Sequence, residues 1–362
     1  LSRVGIYDLD TDDIEWLSDG ESEETAETVS PTGRRVITTR QREGATMPVV
    51  YDAESGDARE LDVDEGVAAL PHTPDATFLD ETTLVFGHTT SDRRKELYRY
   101  DLESDDYAVL LAAEYGDVDP DAFASAEYVT YESIDGREIG ALLYDSGERP
   151  SAAVVMVHGG PHARSSKAFD LYAQFLVSRG YSVLQPNYRG STGCGREFKQ
   201  AILGDWGGGE QADIARGAMW LRERDWIDED RIAVFGGSYG GYSAYMQLVT
   251  YPSLWTTGVA WIGMTDLPAL YEESMPHFQA MLEQQLGDPE ANADLWANRS
   301  AITHVENIES PVFVIHGVND PRVPISQARQ FRDALEERRG WTAGEDFEYE
   351  ELTEEGHGST DV

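Results

Sequence analysis

The segment VFGGSYGGYSA, residues 234–244, places Ser238 between two pairs of glycines. A β-like run, 231–235, leads into it, and a predicted helix, 239–250, follows it. Gly-x-Ser-x-Gly in such a strand–turn–helix context is typical of a nucleophile elbow, a sharp turn that lifts the serine above a sheet. Glycine is favoured two residues to either side because a side chain there would collide with neighbouring backbone. Taken alone, the segment also fits a glycine-rich loop whose serine has no chemical role.

Alternating strands and helices surround this turn in the C-terminal part of the chain. Continuous apolar runs predict buried strands, and the stretches between them predict helices that cover both faces of a mostly parallel, doubly wound sheet. The strand candidates are 152–157, 181–185, 231–235, 257–262, 311–315 and 347–352, and the helix candidates include 168–179, 209–224, 239–250 and 326–338. A hairpin over 126–146, with Asp135-Gly136 at its turn, begins this domain, which we assign to residues 126–362.

A serine needs a neighbouring base and an orienting acid before it can act as a nucleophile. Asp320 lies in VIHGVNDPRVP (314–324), after one predicted strand, and His357 lies in YEELTEEGHG (349–358), after the last one. The order serine, acid, histidine is that of an α/β hydrolase, and loops that follow parallel strands gather at one edge of the sheet. We predict that Ser238 attacks a carbonyl carbon, His357 transfers its proton, and Asp320 orients the histidine.

Other side chains are weaker candidates for these roles. Asp266 follows the preceding strand, and Glu354 and Glu355 are too close in sequence to His357 to orient it readily. Cys194 is the single cysteine, cannot form an internal disulfide, and is interpreted as a free thiol rather than as the nucleophile.

Backbone N–H groups are expected to bind the oxyanion of a tetrahedral intermediate. One should be the N–H of Tyr239, the residue after the nucleophile. The second should come from VMVHGGPHARSS (155–166), whose glycines follow a predicted strand and allow N–H groups to face the site. A simple turn at the end of a strand is the alternative for this stretch.

The N-terminal part of the chain carries a weak repeat. Three segments align on Tyr-Asp at Tyr7, Tyr51 and Tyr100, and each combines an alternating strand, an acidic turn and a second strand. Their spacing is typical of the four-stranded blades of a β-propeller. We therefore predict an all-β partial propeller over residues 1–125, with about two and a half blades and with others missing upstream. Chance recurrence of acidic hairpins in an Asp-rich chain is the alternative.

The charge of the chain limits its partners. The formal net charge is −40, with 68 acidic and 28 basic residues, which makes nucleic acid and anionic membranes unfavourable partners. Self-repulsion of this size predicts a need for molar salt, as in the cytoplasmic proteins of salt-accumulating archaea, which this composition resembles. No apolar run reaches the length of a membrane span and no signal-peptide pattern is present, so we expect a cytoplasmic protein. The sequence leaves open whether the chain forms a homo-oligomer.

Six motifs in the same order resemble the prolyl oligopeptidase family of serine peptidases, in particular its acylaminoacyl-peptidase and dipeptidyl-aminopeptidase-like branch. The resemblance covers residues 126–362. The motifs are HGGP (158–161), NYRGSTGCG (187–195), GDWGGGEQAD (204–213), GGSYGG (236–241), HGVNDPRVP (316–324) and EGHG (355–358). The resemblance implies an α/β-hydrolase domain with Ser238, Asp320 and His357 as its triad. Because members of the family continue into a final helix, the domain is expected to lack its last helix.

The resemblance also implies the finer roles of the site. It implies that the N–H groups of Tyr239 and Gly160 form the oxyanion hole, and that Arg322 binds a peptide carbonyl near the scissile bond. The expected activity is hydrolysis of short peptides with release of N-terminal acyl-amino acids or dipeptides. Neither a metal-binding cluster nor a nucleotide-binding loop is present in the sequence, so no cofactor is expected. Two alternatives stay open, a carboxylesterase that uses the same triad and a propeller-based binding protein with an inactive hydrolase domain.

Overall fold

The computed structural model describes residues 1–71 and 77–358, which form two compact units. The first unit comprises Leu1–Tyr128, Ser166–Ser178 and Gly193–Arg196, and the second comprises Val129–Ser165, Arg179–Thr192 and Glu197–Val362. Two short segments from the predicted domain 126–362 therefore cluster with the N-terminal strands.

The first unit consists mainly of antiparallel β-structure. Its strands are β1 (Gly5–Tyr7), β2 (Ile14–Trp16), β3 (Glu23–Val29), β4 (Arg35–Arg42), β5 (Ala45–Asp52), β6 (Ala58–Glu60), β7 (Val67–Ala69), β8 (Thr83–Thr90), β9 (Arg93–Asp101) and β10 (Tyr107–Leu111). The strands β1 and β2 form a separate hairpin, and the others form one sheet in the order β10-β9-β8-β7-β5-β4-β3, with β6 paired to β5. A short helix, α1 (Leu171–Ser178), also belongs to this unit, where Gln174 donates hydrogen bonds of 2.8 Å to the carbonyls of Ser91 and Ala124.

The Tyr-Asp repeat of the sequence corresponds to three hairpins with the same register. Each aligned tyrosine pairs with the residue seven positions further along, and the three pairs are Tyr7–Ile14, Tyr51–Ala58 and Tyr100–Tyr107. In each turn the aspartate after the tyrosine accepts hydrogen bonds from the next backbone N–H groups, as Asp52 does from Glu54 and Ser55. The repeat is thus a structural unit, since the same short acidic turn closes every hairpin.

These hairpins do not form a closed propeller within the part of the chain that the structure describes. Two four-stranded meanders, β3–β6 and β7–β10, are joined into one sheet where Thr46 pairs with Val67 in parallel orientation. The core between them is small and includes Ile37, Leu84 and Phe86, all fully buried. The partial propeller predicted from the repeat is therefore not confirmed.

The second unit is built on a mostly parallel eight-stranded sheet. Its strands are β11 (Ala126–Glu132), β12 (Glu138–Tyr144), β13 (Ser151–Val157), β14 (Tyr181–Asn187), β15 (Ile227–Gly237), β16 (Thr257–Trp261), β17 (Val312–Gly317) and β18 (Glu348–Leu352). They lie in the order β11-β12-β14-β13-β15-β16-β17-β18. The strand β12 is antiparallel to β14, and all pairs from β14 to β18 are parallel. This confirms the predicted α/β-hydrolase type of sheet.

Helices connect these strands. They are α2 (Gly195–Gln200), α3 (Gly209–Arg222), α4 (Tyr239–Thr250), α5 (Leu267–Glu273), α6 (Pro276–Leu286), α7 (Ala293–Asn298) and α8 (Ser326–Ala334), with 3-10 turns at Pro252–Leu254 and Ala301–Asn307 and a π turn at Leu335–Arg339. Helix α4 is the central one, and every residue from Tyr239 to Val249 is buried. Its first turn carries Gly240 and Gly241, which closely approach the backbone at the ends of β13 and β16.

Candidate active site

Ser238 occupies a strained turn between β15 and α4. Its backbone has φ 57° and ψ −118°, a region that residues with a side chain rarely adopt. Hydrogen bonds on both sides hold it there, since its N–H donates to the Trp261 carbonyl (3.0 Å) and its own carbonyl accepts from the Tyr242 N–H (2.9 Å). Strain of this kind costs about 1–3 kcal/mol and is found where a side chain must be presented in one direction.

The glycines of the elbow are required by close backbone contacts. A Cβ on Gly236 would lie 2.4 Å from the carbonyl group of Gly240, and a Cβ on Gly240 would lie 2.1 Å from the Val157 carbonyl oxygen. The neighbouring Gly241 is equally restricted, at 2.5 Å from the Trp261 carbonyl oxygen. The turn is therefore packed directly between the ends of β13 and β16.

We expect Gly240→Ala to lower the free energy of unfolding by about 1–3 kcal/mol, because the added methyl group must displace backbone rather than a flexible side chain. Denaturant unfolding measures this loss. The control is Gly356→Ala, whose methyl group would have its nearest contact at 3.6 Å from the Asn319 carbonyl oxygen. Equal unfolding free energies for the Gly240→Ala variant and the wild type would contradict the packing described for this turn.

The structure brings the three predicted side chains together. His357 Nε2 lies 3.0 Å from Ser238 Oγ, and His357 Nδ1 lies 2.7 Å from Asp320 Oδ2. Since an ionised carboxylate can only accept, Nδ1 carries the proton and Nε2 is free to accept one from the serine hydroxyl. Asp320 follows β17 and His357 follows β18, so both loops leave the sheet at the edge where the elbow lies.

Asp320 is held as a carboxylate by its surroundings. Burial raises the pKa of Asp320, but hydrogen bonds from His357 and from the N–H groups of Val323 (3.0 Å) and Arg322 (2.8 Å) outweigh it, so the pKa lies below its ordinary value. A second histidine, His316, is fully buried 3.8 Å from Asp320 and donates through Nε2 to the Val323 carbonyl (2.8 Å). Burial lowers the pKa of His316, which keeps it neutral beside the acid.

The other candidate acids and the cysteine occupy different positions. Asp266 is the N-cap of α5, where its side chain accepts a hydrogen bond from the Ala269 N–H (3.0 Å). The backbone carbonyl of Glu355 accepts from the Asn319 N–H, while the bond to His357 Nδ1 is made by Asp320. Cys194 is exposed.

The predicted oxyanion loop lies against the elbow. A Cβ on Gly159 would be 3.5 Å from Ser238 Cβ and 4.0 Å from the Tyr239 backbone nitrogen, so the loop passes directly beside Ser238. Gly160 follows with φ 122°, a conformation that favours glycine and turns the backbone between Gly159 and His162. The role of the Gly160 N–H itself stays a prediction.

His158 anchors this loop. Its Nδ1–H donates to the Gly159 carbonyl (2.8 Å), and its Nε2 lies 2.9 Å from Ser191 Oγ. Burial lowers the pKa of His158 to about 4 in spite of the hydrogen bond to Gly159, so the ring is neutral at pH 7. A neutral histidine supports the loop without adding charge beside Ser238.

A buried ion pair shapes the next loop of the site. Arg189, in the NYRGS motif after β14, forms two hydrogen bonds to the fully buried Asp213 carboxylate (2.8 and 2.7 Å) and two more to Asp135 (2.9 and 3.1 Å). The planar guanidinium suits such two-pronged contacts. Arg322, predicted to contact substrate, has an exposed side chain in the loop that also carries Asp320. Among the described residues no group of three or more histidine, cysteine, aspartate or glutamate side chains could hold a metal ion.

Comparison with known families identifies the C-terminal part of the chain. Residues 167–361, more than half of the chain, match the model of the prolyl oligopeptidase family. The chain belongs to the prolyl oligopeptidase family. The matched region includes the elbow, Asp320 and His357, whereas the loop with Gly159 and Gly160 lies before it.

The curated relatives of the chain include a dipeptidyl aminopeptidase and acylamino-acid-releasing enzymes. It is 30% identical over 273 residues to dipeptidyl aminopeptidase BIII of Pseudoxanthomonas mexicana, which covers 71% of this chain and 40% of that protein. It is 28% identical over 228 residues to the acylamino-acid-releasing enzyme of Mus musculus, which covers 59% of this chain and 30% of that protein. The chain therefore spans less than half the length of these relatives.

Solved structures share the fold over almost the whole chain. A puromycin-hydrolysing peptidase of Mycobacterium tuberculosis aligns with a TM-score of 0.83 and 25% identity, covering 97% of this chain and 54% of that one. The acylaminoacyl peptidase of Pyrococcus horikoshii aligns with a TM-score of 0.79 and 23% identity over 98% of this chain and 55% of that one. The α/β-hydrolase fold of the prolyl oligopeptidase family is thus shared by this chain.

The sequence assigns no chemical role to two buried groups, Glu210 and His316. Glu210 and Tyr239 form a hydrogen bond of 2.9 Å in the core beneath the elbow. The sequence offers a signal for Glu210, since it lies in the GDWGGGEQAD motif. His316 likewise lies in a motif, at the start of HGVNDPRVP.

Proposed function

We propose that the protein is a serine peptidase in which Ser238, His357 and Asp320 form the catalytic triad. The observation that carries the proposal is the continuous hydrogen-bond chain from Ser238 Oγ to His357 (3.0 Å) and from His357 to Asp320 (2.7 Å). The strained backbone of Ser238 supports it, because strain is retained where a nucleophile must be presented. Membership of the prolyl oligopeptidase family supports it independently.

The reaction follows from this geometry. Ser238 Oγ attacks the carbonyl carbon of the scissile bond while His357 Nε2 takes the hydroxyl proton. Asp320 stabilises the imidazolium that forms, and His357 then gives the proton to the leaving amine. A water molecule, deprotonated by the same histidine, hydrolyses the acyl-enzyme and regenerates Ser238.

We assign the oxyanion hole to the N–H groups of Tyr239 and Gly160. The Tyr239 N–H lies at the first turn of α4, where the helix N-terminus favours negative charge. The close approach of Gly159 to Ser238 and to the Tyr239 nitrogen supports the assignment of the second donor to this loop.

The substrates that fit the proposal are short peptides, from which the enzyme releases N-terminal acyl-amino acids or dipeptides. The support comes from relatives named as a dipeptidyl aminopeptidase and as acylamino-acid-releasing enzymes. We assign Arg322 to binding of a peptide carbonyl near the scissile bond, since its guanidinium is exposed in the loop that carries Asp320.

A carboxylesterase with the same triad is the second candidate, and an inactive binding protein is the third. The test compares acyl-amino-acid amides, aminoacyl amides and simple esters as chromogenic substrates, together with labelling of Ser238 by a fluorophosphonate. Turnover of amides supports a peptidase. Turnover of esters but not of amides would instead identify a carboxylesterase. An unlabelled Ser238 in a folded protein would support the inactive binding protein.

We further propose that the first unit is part of a β-propeller. The support is the division of its strands into two four-stranded meanders, β3–β6 and β7–β10, and the equal register of the three hairpins. An incomplete propeller leaves the edges of its blades unpaired. The longer relatives have enough additional residues to form further blades.

We also propose that the protein works at high salt in a cytoplasm of the haloarchaeal type, and we expect its activity and folding to depend on salt. The net charge of −40 acts across the surface, and the screening length falls from about 10 Å at 0.1 M salt to about 3 Å at 1 M. The melting temperature should therefore rise markedly between about 0.1 M and about 2 M KCl. An equal melting temperature at both concentrations would overturn this proposal.

Within the described residues no helix is long and apolar enough to cross a bilayer.

A further inference from the structure

Glu210 is a fully buried carboxylic acid at the start of α3, beneath the elbow. Its carboxylate accepts hydrogen bonds from the N–H groups of Gly207 and Gly208, from the Gln211 amide (3.2 Å) and from the Tyr239 hydroxyl (2.9 Å). All four donors are neutral groups aimed at the two oxygens. These four donors satisfy the buried carboxylate, which would strongly destabilise the fold if its charge were left unpaired.

Tyr239 connects this carboxylate to the nucleophile. Its ring is 1% exposed and packs edge-on against Trp206, with ring centroids 4.9 Å apart. Its hydroxyl is bound to Glu210, and its backbone N–H directly follows Ser238. The position of one residue therefore sets both the buried hydrogen bond and the direction of a backbone donor at the site.

The opposite side of the site is supported by the same cluster of rings. Tyr188 donates its hydroxyl proton to the His158 carbonyl (2.9 Å), and the two rings stack with centroids 4.3 Å apart. The Tyr188 ring also faces that of Tyr239, at 6.1 Å. His158 begins the loop that carries Gly160, so the two backbone segments assigned to the oxyanion hole share one rigid aromatic cluster.

We propose that Glu210 is a positioning residue for the oxyanion hole, and that it acts by holding the Tyr239 hydroxyl and thereby the Tyr239 backbone N–H. This inference rests on the proposed function, since it gives Glu210 a role in the hydrolysis that Ser238 carries out. Glu210 touches neither the nucleophile nor the site of the scissile bond, so its effect is transmitted through Tyr239.

The charge of Glu210 determines the conditions of the test. Burial raises the pKa of Glu210 to about 7, although the hydrogen bond from Tyr239 and those from its neighbours oppose this rise. Burial, and after it the charge of Glu210, raises the pKa of the phenols of Tyr188, Tyr239, Tyr242 and Tyr251. The ion pair of Asp205 with Arg299 (2.6 Å) contacts the adjacent turn, where Arg299 donates to the Gly207 carbonyl and Asp205 accepts from the Gly209 N–H. Kinetics at about pH 8.5 keep Glu210 ionised and its four donors engaged.

The decisive variant is Tyr239→Phe, which removes one oxygen atom and retains both the ring packing and the backbone N–H. We expect kcat to fall about tenfold with KM within about twofold of the wild type, since a small displacement of an oxyanion donor affects the transition state and not substrate binding. Glu210→Leu, which removes both acceptor oxygens, should lower kcat similarly. The kcat of the double variant should lie within about twofold of the kcat of the less active single variant, because both changes break the same hydrogen bond.

The matched control is Tyr242→Phe. Tyr242 is a fully buried tyrosine of the same helix, and its hydroxyl donates to the Arg299 carbonyl (2.8 Å) instead of to Glu210. We expect a similar small loss of melting temperature in Tyr239→Phe and Tyr242→Phe, but a lower kcat only in Tyr239→Phe.

Several outcomes would overturn the proposal. A wild-type kcat in Tyr239→Phe, a change in KM alone, or an equal loss of kcat in Tyr242→Phe would each leave Glu210 with a purely structural role. A folded wild-type protein that neither cleaves substrate nor reacts with a fluorophosphonate would instead overturn the proposed function, and this inference with it.

Discussion

Ser238→Ala should lower kcat/KM by about 10⁶-fold, because it removes the atom that forms the acyl-enzyme. The residual rate should be that of substrate bound beside the oxyanion donors, with water as the nucleophile. Because the substitution leaves the Cβ and the backbone of residue 238 in place, the fold should be retained, although the hydrogen bond to His357 (3.0 Å) is lost. Kinetics on a chromogenic peptide and mass spectrometry after fluorophosphonate treatment measure the two consequences.

The matched control is Ser243→Ala. Ser243 lies one helical turn further along α4, is fully buried, and accepts a hydrogen bond from the Gln211 amide (2.9 Å). Its loss should reduce stability by about 0.5–1.5 kcal/mol and leave the chemical step unchanged. Turnover or covalent labelling that persists in Ser238→Ala, in preparations free of host peptidases, would show that another residue is the nucleophile.

Asp320→Asn should lower kcat by about 10⁴-fold without unfolding the protein. The new amide oxygen can still accept from the Val323 and Arg322 N–H groups, which leaves its NH₂ group facing His357 Nδ1. His357 must then accept at Nδ1 and carry its proton on Nε2, so it can no longer take the proton of Ser238. The effect therefore comes from the wrong tautomer of one ring.

Asp266→Asn provides the comparison for this variant. Asp266 caps α5 through a hydrogen bond from the Ala269 N–H (3.0 Å), and asparagine is an equally good N-cap. We expect its kcat to be unchanged. An Asp320→Asn variant with more than about a tenth of the wild-type kcat would show that the histidine is oriented by another group.

The regular elements around the sheet could be predicted because their sequences are locally distinctive. The run SAAVVMV becomes β13 (Ser151–Val157), buried along almost its whole length, and YSVLQPN becomes β14 (Tyr181–Asn187). Helix α4 begins and ends where the sequence predicts it, at Tyr239 and Thr250. In contrast, α6 (Pro276–Leu286) was not predicted, since its mixed polar and apolar residues show no clear periodicity.

The N-terminal strands show a different limit. The Tyr-Asp repeat identified three hairpins of equal register, because a short acidic turn is a local signal. The pairing of Thr46 with Val67, which joins two meanders into one sheet, depends on residues whose sequences carry no pairing signal. Strand partners of this kind are selected by packing rather than by local preference.

The sequence by itself determined the identity of the elbow, its strand–turn–helix context and the loops that offer an acid and a histidine, because each of these is encoded within about ten residues. Only the tertiary structure decided that Asp320 and not Asp266 meets His357, and that Glu210 reaches the Tyr239 hydroxyl from 29 positions away. Those contacts depend on where β17, β18 and α3 lie in the folded sheet, and that arrangement is decided by burial of side chains from the whole unit.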